Sequence, residues 1–172
     1  MKTTMKLSIM LGLLAMIAFG QASVFDSTEV TKHYVAAKET TLSGAAEAVT
    51  IAQPATASGQ VIWMDLATVY CSVACVVTVE RGGTAASTTA LTPTPMSAGL
   101  VAARAKAFHS SNAGSGAELG KYRIAAGGEK TISLRGVRLR NGGGATEQLT
   151  VSTDAITGVA RIQIKWAEAQ PY

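Results

Sequence analysis

Ala160-Arg161-Ile162-Gln163-Ile164-Lys165-Trp166 alternates apolar and polar residues without a break. A period of two is the repeat of an extended strand, whose successive side chains point to opposite faces. The stretch predicts a strand with Ala160, Ile162, Ile164 and Trp166 turned inward and Arg161, Gln163 and Lys165 turned outward. The same reading applies upstream. Cys75, Val77 and Val79 alternate with Val76, Thr78 and Glu80, and Leu149 and Val151 sit between Gln148, Thr150 and Ser152. Lys121 to Ile124 and Thr131 to Arg135 also alternate, and Gly136 falls where a bulge would restart the pattern as Val137-Arg138-Leu139-Arg140. Val61 to Tyr70 carries Ile62, Met64 and Leu66 on one face, with Trp63 and Val69 on the other. Short strands divided by Gly-rich turns, without helical crossovers between them, predict an all-β antiparallel sandwich of jelly-roll-like form.

Outward from these strands the chain divides into three parts. Lys2 and Lys6, the apolar run Leu7 to Phe19 and the small residues around Gly20-Gln21-Ala22 have the order of a secretory signal peptide. Residues 1–22 are therefore expected to be removed, which gives a secreted, extracellular location and no membrane contact after cleavage. The apolar run is shorter than the ~20 residues of a spanning helix. Residues 23–54 read as an N-terminal arm, with scattered apolar anchors at Val24, Phe25, Val30 and Tyr34, and residues 55–172 as the sandwich domain; toward the arm's end Ala48-Val49-Thr50-Ile51-Ala52 suits a first strand of the compact part. The arm lacks proline from Ser23 to Gln53, so every amide there can join a ladder. Its expected role is to donate a strand, within Ser23–Ala37, to an adjacent subunit.

Composition narrows the function. Two of the fifteen Lys and Arg lie in the signal segment, leaving thirteen against eleven Asp and Glu. That small excess, spread along the chain, is no nucleic-acid footprint. Cys71 and Cys75 belong to the exported part, where oxidation is expected. In one straight strand their Cα atoms would stand ~13 Å apart at ~3.3 Å per residue. A disulfide spans at most ~7 Å. Either the thiols stay free as small core residues or the chain reverses between them, and a tight hairpin closed by a Cys71–Cys75 bond is the expected form.

Catalytic signatures fail in turn. Gly114 to Lys121 has one residue too many for a phosphate-binding loop, and Tyr122 stands where Ser or Thr must reach a magnesium ion. His33 and His109 lie apart from each other and from Cys or paired carboxylates at ligand spacing, so a metal site or nucleophile–base pair would have to be assembled wholly by the fold. His109 reads as a surface residue at a strand end. No catalytic residue, metal site or cofactor is expected. Two other features stand out. Arg135, Arg138 and Arg140, with Arg123 near them, make a contact stripe on one sheet face or simply a solvated one. The stretch Gly82 to Gly99, with Thr84, Ser87, Thr88, Thr89, Thr92 and Thr94 around Pro93 and Pro95, reads as a loop of the kind that carries O-linked glycans. Leu100 to Phe108 is apolar enough for a strand, although its alanines suit a helical turn equally.

From Val79 onward the chain resembles a family of small β-rich virion proteins of tailed bacteriophages. The resembling stretches are Val79-Glu80-Arg81-Gly82-Gly83-Thr84, Pro93-Thr94-Pro95-Met96, Ala102-Ala103-Arg104-Ala105-Lys106-Ala107-Phe108 and Arg161 to Glu168, within about residues 60 to 168. The resemblance implies a β-sandwich subunit that packs against copies of itself and performs no chemistry. The export signal and the cysteine pair depart from that pattern, so what carries over is the self-assembling subunit. The expected function is a non-enzymatic secreted subunit of a fibre, pilus-like filament or surface layer, whose partners are copies of itself. The alternatives are a phage structural or decoration protein, and a secreted module that binds glycans or surfaces.

Overall fold

A computed structural model of the chain describes residues 29–53, 61–83, 89–97, 102–111, 115–140 and 147–171. Twelve strands form: β1 (Glu29–Ser43), β2 (Ala48–Ala52), β3 (Val61–Cys71), β4 (Cys75–Arg81), β5 (Thr89–Leu91) and β6 (Thr94–Pro95), then β7 (Lys106–Ser110), β8 (Ala117–Ile124), β9 (Gly128–Ser133), β10 (Arg138–Arg140), β11 (Gln148–Thr153) and β12 (Thr157–Pro171). No helix occurs among the described residues. The signal segment, Val24 and Phe25 lie outside them.

The first sheet runs β10-β3-β12-β1-β6, with β9 beside β10 along the same edge of β3, and the second runs β5-β7-β2-β11-β4-β8. Counting β9 and β10 as one interrupted strand and setting aside the β5–β7 insertion leaves eight. Along the chain they are β1, β2, β3, β4, β8, β9/β10, β11 and β12. The first, eighth, third and sixth build one sheet, and the second, seventh, fourth and fifth the other. That interleaving is a double Greek key, so the sandwich is a jelly roll.

The core between the sheets is made by the period-two residues. Ala160, Ile162, Ile164 and Trp166 of β12 are buried while Arg161 is exposed, as the alternation predicts. Ile51, Ile62, Leu139 and Leu149 are fully buried with them. Burying a side chain of this size contributes about 1.5–3 kcal/mol each. Such packing holds the layers together.

Four expectations need correction. Residues 29–43 are not an arm: β1 is a strand of the first sheet, and Tyr34 is a core residue at 0% exposure, stacked on Trp166 with ring centroids 6.0 Å apart, whereas Ala48–Ala52 is a strand, β2, as its apolar run suggests. Leu66 does not share a face with Ile62 and Met64. Lys165 pairs with Leu66 and Trp166 with Met64, so Asp65 is an extra residue that reverses the phase of β3 and turns Ala67, Val69 and Cys71 inward. The Thr/Pro stretch is not merely a loop, because β5 extends the second sheet beside β7 and β6 extends the first beside β1. Finally, Cys71 and Cys75 do not close a hairpin within one sheet. Cys71 ends β3 in the first sheet and Cys75 opens β4 in the second, so the turn between them crosses the sandwich.

The expected break at Gly136 is present. Gly136 takes φ +97°, a left-handed conformation that side chains resist. Val137 N–H donates to the Leu134 carbonyl at 3.0 Å, and Met64 N–H to the Val137 carbonyl at 3.0 Å. The turn stands opposite Asp65, whose carbonyl accepts from Leu134 N–H at 2.9 Å. Two irregularities therefore face each other across β3, and the ladder resumes as β10 with Arg138 opposite Trp63.

Candidate functional site

The second sheet's outer surface carries a hollow of about 450 Å³, lined by Val76, Thr78, Lys121, Arg123 and Asp154. Its position follows from register. Val76 of β4 faces Arg123 of β8, and Thr78 faces Lys121, so two outward residues from each strand make the floor and one wall. Asp154, just past β11, closes the other side. Its Oδ1 accepts from Val76 N–H at 2.7 Å, and its own N–H donates to the Val76 carbonyl at 3.1 Å. A second hollow of about 230 Å³ shares Val76, Arg123 and Asp154 and reaches Cys75.

The charges here are mixed. Lys121 Nζ lies 2.8 Å from Glu118 Oε2, and that hydrogen bond, with the Glu118 charge, raises the lysine's pKa. Glu80 continues the same outward row of β4. Burial raises its pKa first and the neighbouring Glu118 charge second, while Lys121 pulls it down. One of its oxygens, Oε2, is buried without a hydrogen-bond partner. The hollow offers a guanidinium, an ammonium and a carboxylate around a Val/Thr floor, groups that can orient a polar ligand.

Beside it, the Cys71–Cys75 disulfide bridges Cα atoms 6.4 Å apart, and both cysteines are buried. The expected pair is present, in a different structural role: it ties one sheet to the other at the end of the sandwich.

Two buried carboxylates escaped the sequence reading. Glu168, at the core end of β12, accepts from Trp166 Nε1 at 2.8 Å, Ala105 N–H at 3.0 Å and Arg104 N–H at 2.9 Å. Its charge adds to burial in raising the Tyr34 pKa, against a smaller lowering by Arg104. Glu47, in the β1–β2 connection, has Oε1 3.3 Å from His109 Nδ1. That contact is close enough for an ion pair when the imidazole is protonated, but it lacks the alignment of a hydrogen bond. The His109 side chain is 22% exposed, so it is half-buried, unlike the surface residue expected. No sequence spacing signals either carboxylate, because their partners come from distant strands.

The arginine stripe is only partly assembled. Arg138 and Arg140 share the outward face of β10 with buried Leu139 between them. Arg135 sits in the turn before it, 83% exposed, with Nε 3.3 Å from Asp65 Oδ1. Arg123 belongs to β8 in the other sheet and is not part of the stripe. Backbone groups of β10 are used nearby: Arg81 Nη2 donates to the Arg138 carbonyl at 3.0 Å and to both Glu147 oxygens, and Arg140 N–H donates to Glu147 Oε2 at 2.6 Å. Of the glycan-loop residues, Thr89, Thr92 and Thr94 are exposed, while Thr84, Ser87 and Thr88 lie outside the described residues. Of the arm residues, Val30 is within β1. Lys121 of the phosphate-loop-like stretch is in the middle of strand β8, not at the start of a helix. Among the described residues no group of three or more His, Cys, Asp or Glu is placed to hold a metal ion.

No protein-family model, no curated protein and no solved structure matches this chain.

Proposed function

We propose that the chain is a non-enzymatic structural subunit, exported and then assembled with copies of itself into a fibre or surface layer. The observation that carries this reading is the use the structure makes of its ionisable groups. Glu168 anchors residues 104–105 to β12, and Arg81 with Glu147 joins β4 to the β10–β11 side. Arg161 reaches Glu129 at 2.8 Å and Glu39 at 4.0 Å, linking β12 with β9 and β1. These groups hold the frame together. The buried disulfide between the sheets supports an oxidising compartment and hence export. Strand donation by Ser23–Ala37 is not part of this proposal, because β1 occupies its own sheet and withdrawing it would expose Tyr34.

The test is intact mass, followed by light scattering and negative-stain microscopy, on protein recovered outside the cytoplasm. A mass lacking residues 1–22 and concentration-dependent assembly are expected, whereas a monomer at every concentration would overturn the assembly reading. A second reading, a secreted binding module for glycans or surfaces, is favoured by the hollow at Lys121, Arg123 and Asp154. It predicts a small discrete oligomer that retains polar ligands. Assembled particles that keep Met1 would instead favour the virion role.

A further inference from the structure

The first sheet ends, beyond β1, in an edge that is protected over one half only. Met96 N–H donates to the His33 carbonyl at 2.9 Å, and Val35 is opposite Thr94, so the odd-numbered residues of β1 direct their N–H and C=O groups toward β6. On β6, Thr94 and Met96 point back to β1. The residues that would point their amides outward are Pro93 and Pro95, which have none. A strand carrying proline at those positions is a blocked edge. β6 covers β1 only as far as Val35, however. Beyond it, Ala37, Glu39, Thr41 and Ser43 are exposed, and among the described residues no strand pairs with them on that side.

The other long edges are blunted. β8 has an irregular register at Val79/Glu80, which makes Leu119 an extra residue, and a symmetric pair centred on its outward Lys121 and Arg123 would set like charges opposite each other. The β9–β10 edge is broken at Leu134–Val137. β5 has three residues. Among the described residues, the half of β1 from Ala37 to Ser43 is a regularly alternating edge that nothing blocks.

We infer that this half-edge pairs antiparallel with the same segment of a second copy, about a two-fold axis at Thr40. The inference rests on the self-assembly reading and specifies its contact. Registers centred on Glu39, Thr40 or Thr41 all leave the odd residues hydrogen-bonded near the centre of the segment. Centring on Thr41 sets Thr40 against the partner's Leu42, which gives its hydroxyl no mate. Centring on Glu39 sets Glu39 against its own copy, and like charges directly opposite are destabilising. Centring on Thr40 sets Glu39 against the partner's Thr41, Ala37 against its Ser43 and Lys38 against its Leu42. The two copies of Lys38 then stand about 13 Å apart along the strands, at ~3.3 Å per residue. Thr40 would occupy a non-hydrogen-bonded position, where the Cα atoms approach to about 4.5 Å and side chains are closest. Thr40 is half-buried, but its Oγ1 is tucked in without a hydrogen-bond partner in the single chain; a turn about χ1 brings the hydroxyl to the open edge, where its symmetric mate supplies one. A two-fold contact of this kind closes on itself. It gives a dimer as the building block, and a longer assembly needs a second, different contact.

The test combines a cross-link with an edge block in the otherwise intact, processed protein. Thr40→Cys should form a disulfide-linked dimer under mild oxidation, with Cys71–Cys75 intact by peptide mapping, whereas Lys38→Cys should not. Thr41→Pro removes an outward amide that β1 does not use within its own sheet. It should shift the dimer to monomer at concentrations where the parent is dimeric, with an unchanged circular dichroism spectrum. If Thr41→Pro fails to fold, the cysteine pair alone decides. Assemblies that persist while Thr40→Cys gives no cross-link would overturn the edge contact and leave the self-assembly reading standing. A parent protein that stays monomeric throughout would overturn both.

Discussion

Glu168 offers the sharpest test of how this sandwich holds its insertion. The carboxylate is fully buried, and three N–H groups converge on it: Trp166 Nε1 and Ala105 N–H on Oε1, Arg104 N–H on Oε2. Glu168→Gln preserves shape but replaces one acceptor with an NH₂ group. The amide is best placed with its oxygen at Oε1, which keeps two bonds and turns a donor toward Arg104 N–H. A hydrogen bond to a charged group contributes about 1.5–3 kcal/mol, and an unsatisfied buried donor is penalised by a similar amount. Removing the charge also removes its desolvation penalty, which opposes the loss. The expected net destabilisation is about 2 kcal/mol, or about 4–8 °C in Tm for a domain of this size. Glu168→Ala leaves all three donors unpaired and should lower stability by about 4 kcal/mol. Urea unfolding followed by tryptophan fluorescence reads both changes, and hydrogen exchange at the Arg104 and Ala105 amides should accelerate more than elsewhere. A Gln variant within about 0.5 kcal/mol of the parent, with unchanged exchange at those amides, would refute the idea that the carboxylate's bonds outweigh its desolvation.

Three further outcomes are expected. Reducing the Cys71–Cys75 bond, or replacing both residues with Ala, should lower stability by about 2 kcal/mol, the chain-entropy value for so short a loop, as read from denaturant midpoints with and without reductant. Gly158→Ala should destabilise by about 2 kcal/mol in a thermal melt, because φ is +82° and a Cβ there collides with Ser72 Oγ, the acceptor of Val159 N–H at 2.6 Å. Glu80→Gln should stabilise slightly at pH 7, by no more than about 0.5 kcal/mol after solvent screening. The raised pKa of Glu80 means that its ionisation disfavours the folded state above the folded pKa. The gain should therefore fade as pH drops through that value and the parent's carboxyl becomes protonated, and a gain that grows in acid would contradict this sign.

The strands that alternate cleanly were legible in the sequence because each lies where one face meets the core and the other meets water. β12 and β4 are the clearest cases. β1 was missed for a physical reason. Its inward positions run Tyr34, Ala36, Lys38, Thr40 and Leu42, and near an open edge two of the five can be polar without reaching the middle of the core. β5 and β6 are too short for any period to register, and Asp65 shifts the phase of β3 in mid-strand. The Cys71–Cys75 spacing limits the separation of the two cysteines, and a turn between sheets satisfies that limit as well as a hairpin does. The partners of Glu168 and Glu47 depend on tertiary packing, which no local pattern encodes.

The β5–β7 insertion explains why β1 in particular reads as an arm. It adds β5 and β7 to one sheet beyond β2 and β6 to the other beyond β1, so both additions fall on the side of the sandwich where the chain's first two strands lie. The ties that hold it converge there too. Met96 N–H bonds β1, His109 meets Glu47 in the β1–β2 connection, and Arg104 and Ala105 are bound to Glu168 of β12 beside β1. A segment that reads as an unanchored N-terminal arm is thus an inner strand because a later insertion covers part of its flank. The prolines of that insertion close the flank to further strands as far as Val35. The remainder, from Ala37 to Ser43, pairs with no described strand on that side, and in the proposed contact it is this open half, not the blocked one, to which a second copy would add.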